Sequence, residues 1–298
     1  MNYIVLDFGG SSVKCAVMNS NAQIMRQFSL SSQVDSYDSW LDMFAPHFDK
    51  YRNEFNVQGI AISSCGAVDV DSGIIHGSSA LPYIHDIDVK ALYNERFNVP
   101  VELENDACCA ALAESWIGKG KHSDHFCLLV IGTGVGGAIV TQHSVMKGHH
   151  LHGGEFGYMI MDYQDDQPVI LGHLASTHAL VVMTADKLGV PVDSLNGLKV
   201  FEMYDENHSE VIAVVDKWLK YLATGIYNIQ YSVDPEVIII GGAISQRNDL
   251  IDLLNKTLDS MLAVLPVARI RPNLEVSEFG NDANLVGALK HYLNRQGS

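Results

Sequence analysis

Between Leu6 and Lys14 the chain reads Leu-Asp-Phe-Gly-Gly-Ser-Ser-Val-Lys, and that stretch dictates a sharp reversal. Tyr3 to Leu6 before it is a short apolar run and Val13 to Met18 after it alternates, so both flanks predict strands and the glycines fall at a hairpin turn. Glycine lets the backbone take positive φ and approach a bulky anion, while successive backbone N–H groups and the Ser11 and Ser12 hydroxyls donate to phosphoryl oxygens. Gly9, Gly10, Ser11, Ser12 and Lys14 are therefore candidate nucleotide-phosphate ligands, with Asp7 at the strand end a candidate for the accompanying magnesium. Taken alone, the stretch reads equally as a hairpin turn with no ligand.

Two further glycine turns follow. Ile131-Gly132-Thr133-Gly134-Val135-Gly136-Gly137 contains a formal G-x-G-x-x-G at Gly132, Gly134 and Gly137. A dinucleotide fold needs a helix to begin there, so that the pyrophosphate meets its N-terminus, whereas Ala138-Ile139-Val140-Thr141 prefers a strand. Phe126 to Thr141 thus predicts a second hairpin, with Thr133, Gly134 and Gly136 as phosphate-facing candidates. After Val237-Ile238-Ile239-Ile240 comes Gly241-Gly242, where the backbone can approach a flat or anionic group above a strand end. A plain strand terminus serves equally there. Strand, glycine-rich turn, strand at Tyr3 to Met18 and again at Phe126 to Thr141 marks a structural duplication.

Between the first two turns lies Leu103-Glu104-Asn105-Asp106-Ala107, where a strand gives way to a helix. Asp106 suits a helix cap. It equally suits a general base taking a proton from a substrate hydroxyl, with Asn105 as an orienting donor and acceptor.

Strands and helices alternate along the chain, which predicts the α/β class. Tyr37 to Phe55 carries Trp40, Leu41, Phe44, Phe48, Tyr51 and Phe55 at helical spacing, with Pro46 expected to kink or divide it. Further strands are predicted at Ile24 to Leu30, Gln58 to Ser64, Val99 to Leu103, Glu236 to Ile240 and Arg269 to Val276. Helices are predicted at Ala107 to Ile117, Val211 to Ser232, Arg247 to Leu265 and Ala283 to Leu293. Between the second hairpin and Val211 only short irregular pieces are legible.

The 298 residues leave room for two domains, each with its own core. A formal charge of −16, from 35 acidic against 19 basic residues, argues against nucleic-acid and anionic-membrane partners, so any phosphate contact must be local. Asp7 interrupts the first apolar run, no basic region precedes it, and no apolar stretch reaches the roughly 18 residues of a membrane span, which predicts a cytoplasmic protein. Cys15, Cys65, Cys108, Cys109 and Cys127 are scattered among apolar neighbours with no Cys-x-x-Cys pair, and are expected as reduced core residues.

These residues resemble the ROK group (repressors, open reading frames and sugar kinases) of the actin-like and hexokinase-like ATPase superfamily. Asp7-Phe8-Gly9-Gly10-Ser11-Ser12-Val13-Lys14 is similar to the family's D-x-G-G-T-x-x-K with serine for threonine, and Glu104-Asn105-Asp106-Ala107 matches its E-N-D-A segment. The run from Ile131 through Gly134, Gly136, Gly148, Gly154 and Gly157 follows the family signature, and the resemblance covers essentially the whole chain. It implies two ribonuclease-H-like (actin-like ATPase) α/β domains flanking a cleft, here residues 1–117 plus 283–298 and residues 118–282. It further implies ATP and magnesium, with Asp106 deprotonating the 6-hydroxyl of a hexose, Asn105 and Glu155 bonding sugar hydroxyls, and backbone around Gly66 and Ala67 assisting. Relatives are often dimers, and a homodimer enters only by that analogy.

The chain also departs from the family pattern. Many members place histidine where Tyr158 stands and follow it with C-x-C-G-x-x-G-C-x-E, a structural zinc cluster. From Met159 to Thr184 there is no cysteine, and His149, His150 and His152 lack the partners that tetrahedral zinc requires, so no zinc is predicted. The glutamate of that cluster, which closes the usual hexose site, is gone too, and Leu171 to Leu180 offers no acid in its place. Ala80-Leu81-Pro82 stands where relatives often have Asn-Leu-Pro; His152, Tyr158, Ser78 and His178 are candidates for altered sugar contacts. Glucose or a close hexose is the first expectation, with N-acetylmannosamine or a β-glucoside as alternatives. A sugar-responsive regulator is disfavoured, because the chain enters its first strand at Tyr3 without a helix-turn-helix before it.

Overall fold

The computed structural model describes residues 1–297. In chain order its elements begin with β1 (Asn2–Phe8), β2 (Ser12–Asn19), β3 (Ile24–Ser31), α1 (Tyr37–Phe55), β4 (Val57–Ser64), β5 (Ala67–Asp69) and β6 (Ile74–His76). There follow α2 (Val89–Phe97), β7 (Val101–Asn105), α3 (Asp106–Ile117), β8 (His125–Ile131), β9 (Val135–Thr141), β10 (Ser144–Val145), β11 (Ile160–Gln164) and β12 (Gln167–Ile170). The rest is α4 (Leu171–Ala175), α5 (Thr177–Leu188), α6 (Gly197–Asp205), α7 (Ser209–Val233), β13 (Val237–Gly241), α8 (Leu250–Ala263), β14 (Leu274–Val276) and α9 (Ala283–Gln296). These elements form two compact units. The first holds Met1–Gly118, Lys147–Gly153 and the stretch from Asp282 onward; the second holds Lys119–Met146 and Gly154–Asn281.

In the first unit the strand order is β3-β2-β1-β4-β7. The outer three strands are antiparallel, and β1, β4 and β7 run parallel. The register places Asp7 beside Ser63 and Ser63 beside Glu104, then Phe8 beside Ser64 and Ser64 beside Asn105. Three carboxyl-end strand tips therefore finish in step, at the edge where open α/β sheets take their ligands. The helical stripe of α1 does what its spacing demands, burying Trp40, Leu41, Phe44, Phe48 and Tyr51, and Trp40 Nε1 donates to the Tyr93 hydroxyl at 2.7 Å. Pro46 does not divide that helix, which runs unbroken from Tyr37 to Phe55. Buried aromatic residues both before and after the proline anchor the two halves to one core, outweighing the lost backbone hydrogen bond.

The second unit repeats the pattern with β10-β9-β8-β13-β14, antiparallel across β10, β9 and β8 and parallel from β8 outward. Val135 to Thr141 is a strand paired with β8, so the G-x-G-x-x-G run is a hairpin turn, as its β-branched continuation predicts. Around Trp218, on α7, a core of aliphatic residues fills the space between the sheet and α5 to α8.

The structure departs from the sequence expectations at four further places. The stretch between the second hairpin and Val211 contains the regular helices α5 and α6. The predicted strand over Arg269–Val276 contracts to Leu274–Val276: Pro272 has no N–H to donate, and Arg271 turns out to an ion pair with Asp259 at 2.6 Å. The helix expected from Arg247 starts at Leu250, because the Arg247 guanidinium forks onto Asp205 and Asp249 after a 3-10 turn over Ala243–Gln246. Finally, Lys147–Gly153 groups with the first unit and not with residues 118–282, since Lys147 lays its ammonium on Glu104.

Candidate active site

Asp7 is the penultimate residue of the central strand of the first sheet and is 6% exposed, so its buried carboxylate needs partners. Its Oδ1 accepts from Ser63 Oγ at 2.9 Å and from Asn284 Nδ2 at 3.0 Å, while Lys14 Nζ lies 3.8 Å from Oδ2. The turn beyond it is closed by Gly9 N–H donating to Ser12 C=O at 3.0 Å, which leaves Gly10 and Ser11 exposed at its tip. A fixed, buried carboxylate behind an exposed glycine–serine turn fits a magnesium nucleotide. Neither Ser63 nor Asn284 was singled out from the sequence. Ser63-Ser64, ending an otherwise apolar strand, was the available signal for one; Asn284 lies 277 residues from Asp7 and gave none.

At the tip of β7 the helix cap comes from Asn105 and not from Asp106. Asn105 caps α3, its Oδ1 accepting from Cys108 N–H at 3.1 Å, and Asp106 is the first helical residue. The cap is thus supplied without Asp106, whose Oδ1 accepts from the adjacent Ala107 N–H at 2.8 Å. Asn105 Nδ2 donates to Gly66 C=O at 3.1 Å, joining two sequence-predicted sugar-binding elements, and Ala67 opens the β5–β6 hairpin directly after it. His152 is exposed, with Nδ1 2.6 Å from the His150 carbonyl. Among the described residues no three His, Cys, Asp or Glu side chains gather as a metal site would need.

Glu104 precedes this pair and is 3% exposed. One carboxylate oxygen, Oε1, takes both Lys147 Nζ and Asn105 N–H, the latter at 2.7 Å. Its Oε2 faces His291 Nδ1 at 3.8 Å. Burial pushes the Glu104 carboxyl up from its ordinary value while Lys147 opposes it, and burial together with Lys147, Arg295 and Lys90 holds His291 down at about 3. His291 is therefore neutral at physiological pH, and Lys147 is the counter-charge in contact with Glu104.

The second unit carries the remaining candidates. Thr133 and Gly134 are exposed at the β8–β9 turn, and a Cβ on Gly132, Gly134 or Gly136 would meet nothing within 4 Å, so open space lies over the turn. Gly242 stands at φ +90°, and a Cβ there would fall 2.2 Å from the Ile131 carbonyl oxygen. Only glycine therefore brings the β13 end against this hairpin. Glu155 leads into the 3-10 turn Phe156–Tyr158, and Tyr158 is 68% exposed. Tyr158, Thr133, Gly134, Gly172, His173 and His178 line part of a cavity of about 520 Å³ in whose wall, among the described residues, no carboxylate, lysine or arginine stands.

Compared with known proteins, the chain matches the ROK family over residues 3–295. It is 31% identical to a β-glucoside kinase of Klebsiella pneumoniae, covering 98% of this chain and 96% of that one. A ROK family protein of Streptococcus pneumoniae, solved in complex with sucrose, superposes with a TM-score of 0.92 at 31% identity, covering 100% of this chain and 99% of that one. A ROK family glucokinase of Streptomyces griseus, solved with glucose and AMPPNP, shares the fold at a TM-score of 0.78 and 22% identity over 100% of both chains.

Proposed function

Since the chain belongs to the ROK family, we propose that it is an ATP-dependent sugar kinase that phosphorylates the 6-hydroxyl of a glucosyl unit, free as glucose or carried in a β-glucoside. The observation that carries this reading is the tip of β7. Asn105 supplies the helix cap and ties down Gly66, and Asp106 follows it as the first residue of α3 at the ligand-binding edge of the sheet, where a carboxylate suits a general base. Bound magnesium-ATP supplies the transferable phosphoryl group and neutralises its charge.

The roles of the chain's own groups follow from their settings. Asp106 takes the proton of the attacking hydroxyl as the new O–P bond forms and the bond between the γ-phosphorus and the β–γ bridging oxygen breaks, ADP leaving with that oxygen. Asn105 and Glu155, with the backbone at Gly66 and Ala67, orient the sugar. Asp7, held by Ser63 and Asn284, would carry magnesium, and the turns at Gly9 to Ser12 and at Thr133 to Gly136 would donate to phosphates, with Lys14 adding charge. Gly241 and Gly242 would admit the rest of the nucleotide. Tyr158 and His152 remain proposed sugar-side contacts.

A β-glucoside is favoured over the free hexose by one specific feature. The cavity at Tyr158 presents an aromatic ring, two histidines and apolar side chains with no charged group, which suits an uncharged second ring. The named Klebsiella relative points to a β-glucoside, and the sucrose bound to the Streptococcus protein, an α-glucoside, supports only the presence of a second ring. The test is a coupled ADP-release assay with magnesium-ATP against glucose, cellobiose, sucrose, mannose, N-acetylglucosamine and N-acetylmannosamine. Turnover on cellobiose or glucose is expected. Preference for an N-acetylated sugar overturns the glucosyl assignment, and binding without turnover on any sugar leaves a non-catalytic regulator.

A further inference from the structure

We propose that Lys147 is a positioning residue for Asp106, acting through Glu104; this rests on the reading of Asp106 as the catalytic base. Lys147 starts a short loop that closes on itself, with Gly153 N–H donating to the Lys147 carbonyl at 2.8 Å. Its side chain is 16% exposed and meets a Glu104 side chain that is 4% exposed. The oxygen it contacts is the one that accepts Asn105 N–H, and Asn105 caps the helix on which Asp106 is the first residue. One carboxylate oxygen thus joins an ammonium from a separate loop to the backbone immediately before the base.

Because β7 is the edge strand of its sheet, no further strand covers its outer side. There the Asn105 N–H is met by the Glu104 side chain, and Lys147 holds the same carboxylate oxygen. Stability alone does not call for such a pair, since buried ion pairs are often replaceable by apolar residues at no net cost. What an apolar pair would not do is fix the direction of the Asn105 N–H, and through the Asn105 cap the first turn of α3.

The test is a double-mutant cycle of E104Q, K147M and the double variant. Steady-state kinetics are read beside hydrogen exchange of the peptide spanning Val101 to Leu112. E104Q keeps the shape, so it reports even if K147M does not fold. The expected result is a kcat lowered about tenfold or more in each single variant with the KM for magnesium-ATP within about twofold. The double variant should be no worse than the poorer single, because the two residues act as one unit. Exchange should quicken at the start of α3 in all three. A wild-type kcat with unchanged exchange in E104Q, or losses that multiply in the double variant, overturns the proposal. An inactive wild-type enzyme would instead overturn the kinase reading, and the exchange data would still decide whether this pair holds the junction.

Discussion

Replacing Asp106 by Asn keeps the side-chain volume and the oxygen that accepts Ala107 N–H, and removes basicity alone. Turnover should fall by roughly two to four orders of magnitude while sugar binding, read by calorimetry, persists; unchanged turnover would remove Asp106 from the chemistry. Asn284 acts on a different partner. Asn284→Ala deletes a hydrogen bond to the ionised Asp7, and a loss of about 1.5–3 kcal/mol for such a bond corresponds to roughly tenfold or more in kcat/KM for magnesium-ATP. Asn284→Asp should be worse, since it sets a second carboxylate against the first. Tyr158→Ala separates the two proposed glucosyl substrates. It should lower kcat/KM for cellobiose about tenfold more than for glucose, the effect of roughly 1.4 kcal/mol of lost ring contact; equal losses would take the second ring out of this cavity.

At the scale of elements, α3 and α9 approach so closely that a Cβ on Gly287 would lie 1.6 Å from the Cys109 carbonyl oxygen. Gly287→Ala must therefore push the two helices apart, and a stability loss of about 3 kcal/mol or more is expected in chemical denaturation. The hairpins, α1, α3 and α7 were legible because each is written locally, in glycines at a turn or an apolar stripe at helical spacing. The helices α5 and α6 were not: Thr177–Leu188 mixes β-branched residues with helix formers, and Gly197–Asp205 opens on a glycine. Their helical state comes from packing against α7 and from the side-chain caps of Ser176 and Asn196, and an isolated sequence window does not contain that packing. The site divided in the same way. Asp7, Asn105 and Asp106 stand in compact motifs. Their supports, Asn284, Lys147 and His291, are brought to them only by the chain's return to the first unit.

For the whole molecule, pH acts through buried groups as well as through the net charge. His291 titrates at about 3 in the folded chain against an ordinary 6.5, so between these values the unfolded chain binds more protons. Its contribution to stability is therefore complete above pH 6.5 and is lost as pH falls toward 3, with a slope of at most about 1.4 kcal/mol per pH unit. Thermal melts of wild type and His291→Asn between pH 7 and about 5 should converge on acidification; parallel curves would show that His291 is not held neutral. The division of the chain has a consequence for synthesis. The first unit's polypeptide is interrupted at Gly118 and again at Gly153, and it is completed only from Asp282 onward. A ribosome therefore delivers all of the second unit before α9 emerges. Until then nascent α3 has no partner at Cys109, and Asp7 lacks the amide of Asn284. The carboxylate proposed to hold magnesium thus gains its amide partner only from α9, and a chain that stops short of α9 lacks part of the proposed nucleotide site.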